Sequence, residues 1–198
     1  MNLLNFFGLT IMSLFTVSTA MAQNHELSIL AGATVPSGQV SVGSFGSVSG
    51  GISPSAQVSY AYRVLDNPAG SLYFEVPLSR VSKASVSLDD NGVGASASQW
   101  FFTPGLPFKF LSWSRVSPYV TGGAGMGWFD SANVRVLPDV RVSASTGLKP
   151  VVAFAGGIEF RATRHLRFRL ELRDYVPVGW FMGNRNHLAY SAGIGFAF

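Results

Sequence analysis

Nine charged residues fall on alternate positions inside otherwise apolar stretches: Arg63, Glu75, Lys109, Glu159, Arg161, Arg167, Arg169, Glu171 and Arg173. The pattern is clearest at 166–175, where Leu166, Phe168, Leu170 and Leu172 alternate with Arg167, Arg169, Glu171 and Arg173. A period of two sends successive side chains to opposite faces of a strand, so these charges share one face and the leucines share the other. If the stretches at 151–161 and 166–175 form a hairpin, Glu159 lies opposite Arg167 or Arg169, according to the turn register. Such a set has two uses. The charges can neutralise one another inside a narrow bore, or, since bases outnumber acids in the set, they can line a small anion-leaning pore. An eight-stranded interior is just wide enough to be filled by side chains, which favours mutual neutralisation.

The remaining chemistry-bearing residues do not assemble into a catalytic pattern. His187 and Ser191 suggest a dyad, but four residues along a strand separate them by ~13 Å, beyond hydrogen-bond reach. His25 and His165 belong to the opposite end of the expected strands, and Asp130, Asp174 and His187 form at most a solvated rim cluster. There is no cysteine, and no His spacing suits a metal. The expectation is therefore no enzyme activity, no cofactor and no metal site. The chain carries a formal charge of +4, but its 14 basic residues are dispersed, so nucleic acid is not expected as a partner.

The elements that must hold these charges follow from composition. Only 12% of the 198 residues are charged, against ~25% in an ordinary soluble domain, while 47% are hydrophobic. Beyond the first 22 positions no apolar run is long enough for a spanning helix. Lipid-facing surface without apolar runs requires strands that alternate outward apolar and inward polar residues and close into a barrel. A soluble ligand carrier of lipocalin type is the fold-level rival, but its interior should be apolar rather than lined by arginine and glutamate.

Residues 1–22 read as a signal peptide: an uncharged apolar stretch ending in Ala20-Met21-Ala22, with cleavage expected between Ala22 and Gln23. Its n-region departs from the usual pattern in lacking Lys or Arg. Residues 23–198 are then one exported domain. Strands are expected at 26–35, 55–64, from 71 toward the Asn-Gly turn at 91–92, and at 100–110, 118–129, 151–161, 166–175 and 187–198. Pro104 and Pro107 each remove a ladder donor and predict a local break in the fourth. Connections alternate long and short, which places the termini and short turns on the periplasmic side and the long loops outside. Tyr60, Tyr62, Trp113, Trp128, Tyr175 and Trp180 are expected in the interfacial girdles. Any recognition of a surface ligand falls to the loops at 36–51 and 131–149, including Arg135, Asp139 and Arg141.

The ending SAGIGFAF at 191–198 resembles the signal by which bacterial outer-membrane proteins reach the barrel-assembly machinery, with Tyr190, Ile194, Phe196 and Phe198 as its side chains. The segments PYVTGGAG at 118–125 and RLELRDY at 169–175 are similar to segments of small outer-membrane barrels of the OmpA/OmpX and opacity-protein type. The resemblance covers essentially all of residues 23–198 and is one of pattern more than of invariant motif. It implies an all-β, eight-stranded antiparallel up-and-down transmembrane barrel, located in the bacterial outer membrane and needing no cofactor. Its partners would be the lipid bilayer and the assembly machinery. The implied role is structural or surface-interacting, with a narrow porin-like channel as the alternative and a lipid A-modifying enzyme as the second.

Overall fold

The computed structural model describes residues 24–37, 39–41, 47–49, 52–87, 94–129, 133–137, 140–143, 147–178 and 186–198. The expected signal peptide, with Ala20, Ala22 and Gln23, lies outside the described residues, as do Asp130, Asp139 and Trp180.

Thirteen strands run in chain order: β1 (His25–Ser37), β2 (Gln39–Ser41), β3 (Ser47–Ser49), β4 (Ser53–Asn67), β5 (Gly70–Ser87), β6 (Gly94–Phe102), β7 (Gly105–Phe110), β8 (Val116–Phe129), β9 (Asn133–Leu137), β10 (Val140–Ser143), β11 (Gly147–Arg161), β12 (Leu166–Pro177) and β13 (Asn186–Ala197). Nine of them make one antiparallel sheet that closes on itself. With β6 and β7 counted as one interrupted strand, the barrel has eight staves, each paired with its neighbours in sequence. Pairing of β1 with β13, from Glu26↔Ala197 to Ser37↔Asn186, joins first stave to last. Backbone bonds between His25 and Phe198 pin the seam: His25 N–H donates to the Phe198 carbonyl at 3.1 Å, and Phe198 N–H to that of His25 at 2.9 Å. Closure leaves no open sheet edge in the barrel, which is what lipid demands of a spanning sheet.

The interruption falls at Thr103-Pro104, where the fourth expected strand carries its first proline. It does not slip the register. Phe102 faces Met126 on β8 and Gly105 faces Gly123, so the same alignment resumes after the break. The Pro104 carbonyl accepts from Ala124 N–H at 3.1 Å and keeps the wall bonded through the gap. A bulge at Arg63/Leu65 in β4 exposes Val64 and Leu65 side by side, two consecutive apolar residues on the outer face. Small hairpins β2–β3 and β9–β10 occupy stretches expected as loops. β6 and β11 also begin several residues earlier than their alternation suggested.

Alternation sorts the two faces. Leu27, Ile29, Val58, Phe74, Leu78, Val120, Met126, Phe154, Ile158, Phe168, Leu170 and Ile194 point outward and are exposed. Glu26, Ser28, Gln57, Ser59, Glu75, Ser79, Thr121, Glu159 and the β12 charges point inward and are buried. This is a soluble protein turned inside out, and it identifies the outer band as lipid-facing. Three short turns, at 68–69, 111–115 and 162–165, lie at the end that also holds Asn24 and Phe198.

Candidate functional site in the barrel interior

The inward charges form two closed boxes, each of two acids and two bases. In the first, nearer the short turns, Lys109 Nζ reaches Glu26 at 2.7 Å and Glu159 at 2.5 Å. Arg167 Nη1 completes the ring to the same two carboxylates, at 3.1 and 2.6 Å. Lys109 also stands over the Tyr73 ring, 4.4 Å from its centroid. In the second box Arg169 bonds Glu75 at 2.7 Å and Glu171 at 2.5 Å. Arg173 bonds Glu171 at 2.7 Å and Glu75 at 3.2 Å. Glu75 comes from β5 and the two arginines from β12, four staves away around the barrel, so these contacts span the full bore.

Burial of eight charges is tolerated because each is paired with two of opposite sign, and Glu26, Arg169 and Glu171 are further hydrogen-bonded. Arg169 Nε donates to the Tyr119 hydroxyl at 2.7 Å, and that hydroxyl donates to Glu171 at 2.7 Å. Tyr119 reaches this position by lying across Gly157: in the ladder, Tyr119, Gly157 and Glu171 stand in one row on β8, β11 and β12. A Cβ on residue 157 would meet the Leu170 backbone carbonyl oxygen, and the Tyr119 ring and hydroxyl at 2.6 Å, so only glycine leaves both the ladder and the ring their place.

Beyond the second box, Ser79 donates to the Gln57 side-chain carbonyl at 2.9 Å and bonds the Tyr175 hydroxyl at 2.7 Å. Tyr175 stacks on Phe101 with centroids 4.2 Å apart. Around that pair Val81, Val151, Ala153 and Ala189 form an apolar cluster, the only one among the described residues. From the short turns upward, the bore thus passes from two ionic layers through a hydroxyl–amide layer to an aromatic one.

Seven of the nine charges singled out by alternation, Glu75, Lys109, Glu159, Arg167, Arg169, Glu171 and Arg173, meet in the two boxes. Arg63 and Arg161 do not. They sit half-buried at the short-turn mouth, where Arg63 bonds Asn24 Oδ1 at 2.6 and 3.1 Å and Asp66 at 3.2 Å. Arg161 donates to the Ser112 carbonyl. The expected excess of bases is absent from the boxes, because Arg63 and Arg161 stand outside them and Glu26, inward like Ser28, joins them, so that four acids meet four bases. Glu159 does face Arg169 in the ladder, yet its ion pairs go to Arg167 and Lys109. Tyr175, expected in a girdle, is instead 1% exposed inside the bore. Tyr60, Tyr62, Trp113 and Trp128 are exposed on the exterior or its rim.

The histidines do not converge. His25 bonds the Tyr60 hydroxyl at 2.6 Å and His165 the Ala197 carbonyl at 2.8 Å, both near the chain ends. His187 lies at the other end, against Phe101 and Phe129. Asp174 accepts from Asn186 at 3.0 Å. Among the described residues no group of three or more His, Cys, Asp or Glu could hold a metal ion.

No protein-family model and no curated protein matches the sequence. Solved structures do. Neisserial surface protein A superposes with a TM-score of 0.62 at 17% identity, over 88% of this chain and 97% of that one. The chain has the fold of the small outer-membrane β-barrels. OprG from Pseudomonas aeruginosa matches with a TM-score of 0.59 at 14% identity, over 89% of this chain and 96% of that chain. Ail, the attachment invasion locus protein of Yersinia pestis, solved with a heparin analogue, matches at 0.54 and 15% identity, over 88% and 99%. The fold is therefore that expected of an OmpA/OmpX-type barrel, an eight-stranded wall with its apolar face outward.

Proposed function

We propose that this barrel is a non-conducting element of the bacterial outer membrane, acting as a structural wall and a mount for surface recognition. The observation that carries the reading is the second charge box: Arg169 and Arg173 cross from β12 to Glu75 on the opposite stave, closing the line of passage. The Tyr175–Phe101 stack closes it again one layer on. Ions entering such a bore would have to displace a balanced set of buried pairs, which costs several kcal/mol per unpaired charge. In this reading the short turns and both chain ends face the periplasm, while residues 36–51 and 131–149 face outward and supply any ligand contacts. Tyr190, Ile194 and Phe196, exposed on the outer face of β13, together with Phe198, would be presented to the assembly machinery.

The test is electrical. The refolded barrel in planar bilayers should give no steady conductance steps at physiological salt. Reproducible single-channel steps, abolished by heat denaturation, would replace this reading with a narrow anion-leaning channel. Surface recognition is checked separately, by binding of cells expressing the barrel to host glycans or proteins before and after the two loops are shortened. Equal binding would remove the loops from the proposal. Unchanged lipid A on mass spectrometry of the same cells is the corresponding expectation for the absence of enzymatic activity.

A further inference from the structure

We propose that the short-turn mouth of the barrel is a binding site for a phosphate-type oxyanion, taken by Arg161. The first observation is where the net charge resides. The two boxes cancel, and the residues toward and within the long loops nearly do, with six bases (Arg80, Lys83, Arg135, Arg141, Lys149, Arg185) against five acids (Asp89, Asp90, Asp130, Asp139, Asp174). The short-turn end holds Arg63, Arg115, Arg161 and Arg164 against Asp66 alone, and so carries most of the formal +4.

The second observation is a cavity. An opening of about 410 Å³ at this end is lined by Arg63, Asp66, Tyr73, Trp113, Arg161 and Arg167, among others. That volume falls within the ~300–1,000 Å³ of ordinary small-ligand pockets. Its arginines differ in how far they are satisfied. Arg63 is held by Asn24 and the one aspartate. Arg167 is 5% exposed and spends Nη1 on the first charge box, while its buried Nε has no protein partner. Arg161 donates to one backbone carbonyl and pairs with no acid among the described residues. A half-buried guanidinium without a carboxylate offers a planar fork of donors suited to a phosphate oxygen pair.

The turn that supplies the Ser112 carbonyl is built with some strain. Leu111 adopts a positive φ of 49°, uncommon for a branched residue. Its carbonyl accepts from Ser114 N–H at 2.8 Å and from the Ser117 hydroxyl at 3.1 Å, which fixes the turn. The next carbonyl, that of Ser112, is the one that bonds Arg161. The guanidinium is thereby anchored on one side, leaving the remaining donors for a ligand.

In the orientation proposed above, the ligand is either free phosphate in the periplasm, a mono- or dianion, or the monoanionic phosphodiester of an anionic lipid headgroup, and both offer anionic P–O oxygens to the guanidinium. The experiment uses residues 23–198, the expected exported chain, refolded in a phosphate-free zwitterionic detergent, with arginine Nε–Hε signals followed by ¹⁵N NMR as inorganic phosphate is added. Arg161 should shift saturably while Arg164, on the exposed turn outside the cavity, should not. Arg63, which lines the same cavity, should shift in parallel as a reporter. Arg161→Gln should weaken that shift at least tenfold, and Arg164→Gln should leave it unchanged; heat-modifiability on SDS gels verifies that each variant is folded. If Arg161→Gln does not fold, the wild-type titration decides alone. No saturable shift at Arg161, or equal shifts at Arg161 and Arg164, would overturn the site. Repeating the measurement in nanodiscs separates the sources: a shift on adding phosphatidylglycerol without free phosphate supports a headgroup ligand, and a shift with inorganic phosphate only supports a soluble one.

Discussion

Tyr119 lies over Gly157 at a distance that leaves no room for a methyl group, and its hydroxyl thereby reaches Glu171 two strands away. Gly157→Ala should press on the Leu170 carbonyl, force the ring aside and uncouple the hydroxyl from both Glu171 and Arg169. The expected loss is about 1–3 kcal/mol, as for other overpacked sites. Reversible urea unfolding in thin-bilayer vesicles measures it, and an unchanged midpoint would mean that the tyrosine has another path.

Glu159→Ala should be more costly. It removes one of the two acids of the first box and leaves Lys109 and Arg167 to share Glu26. Breaking a buried pair from one side typically costs about 3–5 kcal/mol, because the remaining charge keeps its desolvation penalty. Glu159→Ala combined with Lys109→Met restores charge balance and should recover part of that loss. Absence of any coupling in the double-variant cycle would show that the two residues do not act as a pair.

Among the box acids, Glu171→Gln should be the most damaging. Its carboxylate serves Arg169 and Arg173, accepts from Tyr119, and lies 3.4 Å from the Gln57 amide. Glu26 serves Lys109 and Arg167 and accepts from Ser28 at 3.2 Å. The amide retains the shape and loses the charge, so the ranking of unfolding free energies, Glu171→Gln below Glu26→Gln, tests electrostatics rather than packing. The reverse order would contradict the geometry.

On the outer face the sign is opposite. Leu170 is 61% exposed in the middle of β12, between the inward Arg169 and Glu171. Leu170→Arg should cost about 2–4 kcal/mol in a bilayer, the penalty of a cation on the lipid face near the midplane. In detergent micelles, where water reaches the wall more easily, the penalty should shrink. An equal cost in both media would place Leu170 away from the hydrocarbon.

Much of this was legible from alternation. Parity assigns the wall residues of β12, and of β4 up to the bulge at Arg63/Leu65, to their faces, and Pro104 marks the place where β6 gives way to β7, whereas Pro107 sits within β7 opposite Thr121 without the break expected there. Partner choice was not legible, since it depends on strand tilt and stagger across the bore. Glu159 and Arg169 are ladder neighbours, yet the donors of Arg169 are taken by Glu75, Glu171 and Tyr119, and Glu159 turns to Lys109 and Arg167. Glu26 carried a usable signal, its inward parity beside Ser28, that a count of conspicuous charge runs overlooks. Tyr175 shows the limit of residue type alone: a tyrosine near a strand end suits a girdle or a bore equally well, and only its parity with Arg173 distinguishes them.

All four polar residues 167, 169, 171 and 173 that build the boxes from one side come from the penultimate stave. Without β12, the rest of the wall holds Glu26, Glu75 and Glu159 with Lys109 as the sole interior cation of the box set. The seventh stave is thus the one that matches the interior charge. Interior neutralisation rests on this one stave and joins groups separated by as many as 141 positions in the chain. Such a barrel should close in an all-or-none step, with partly curled sheets disfavoured by their own unpaired acids.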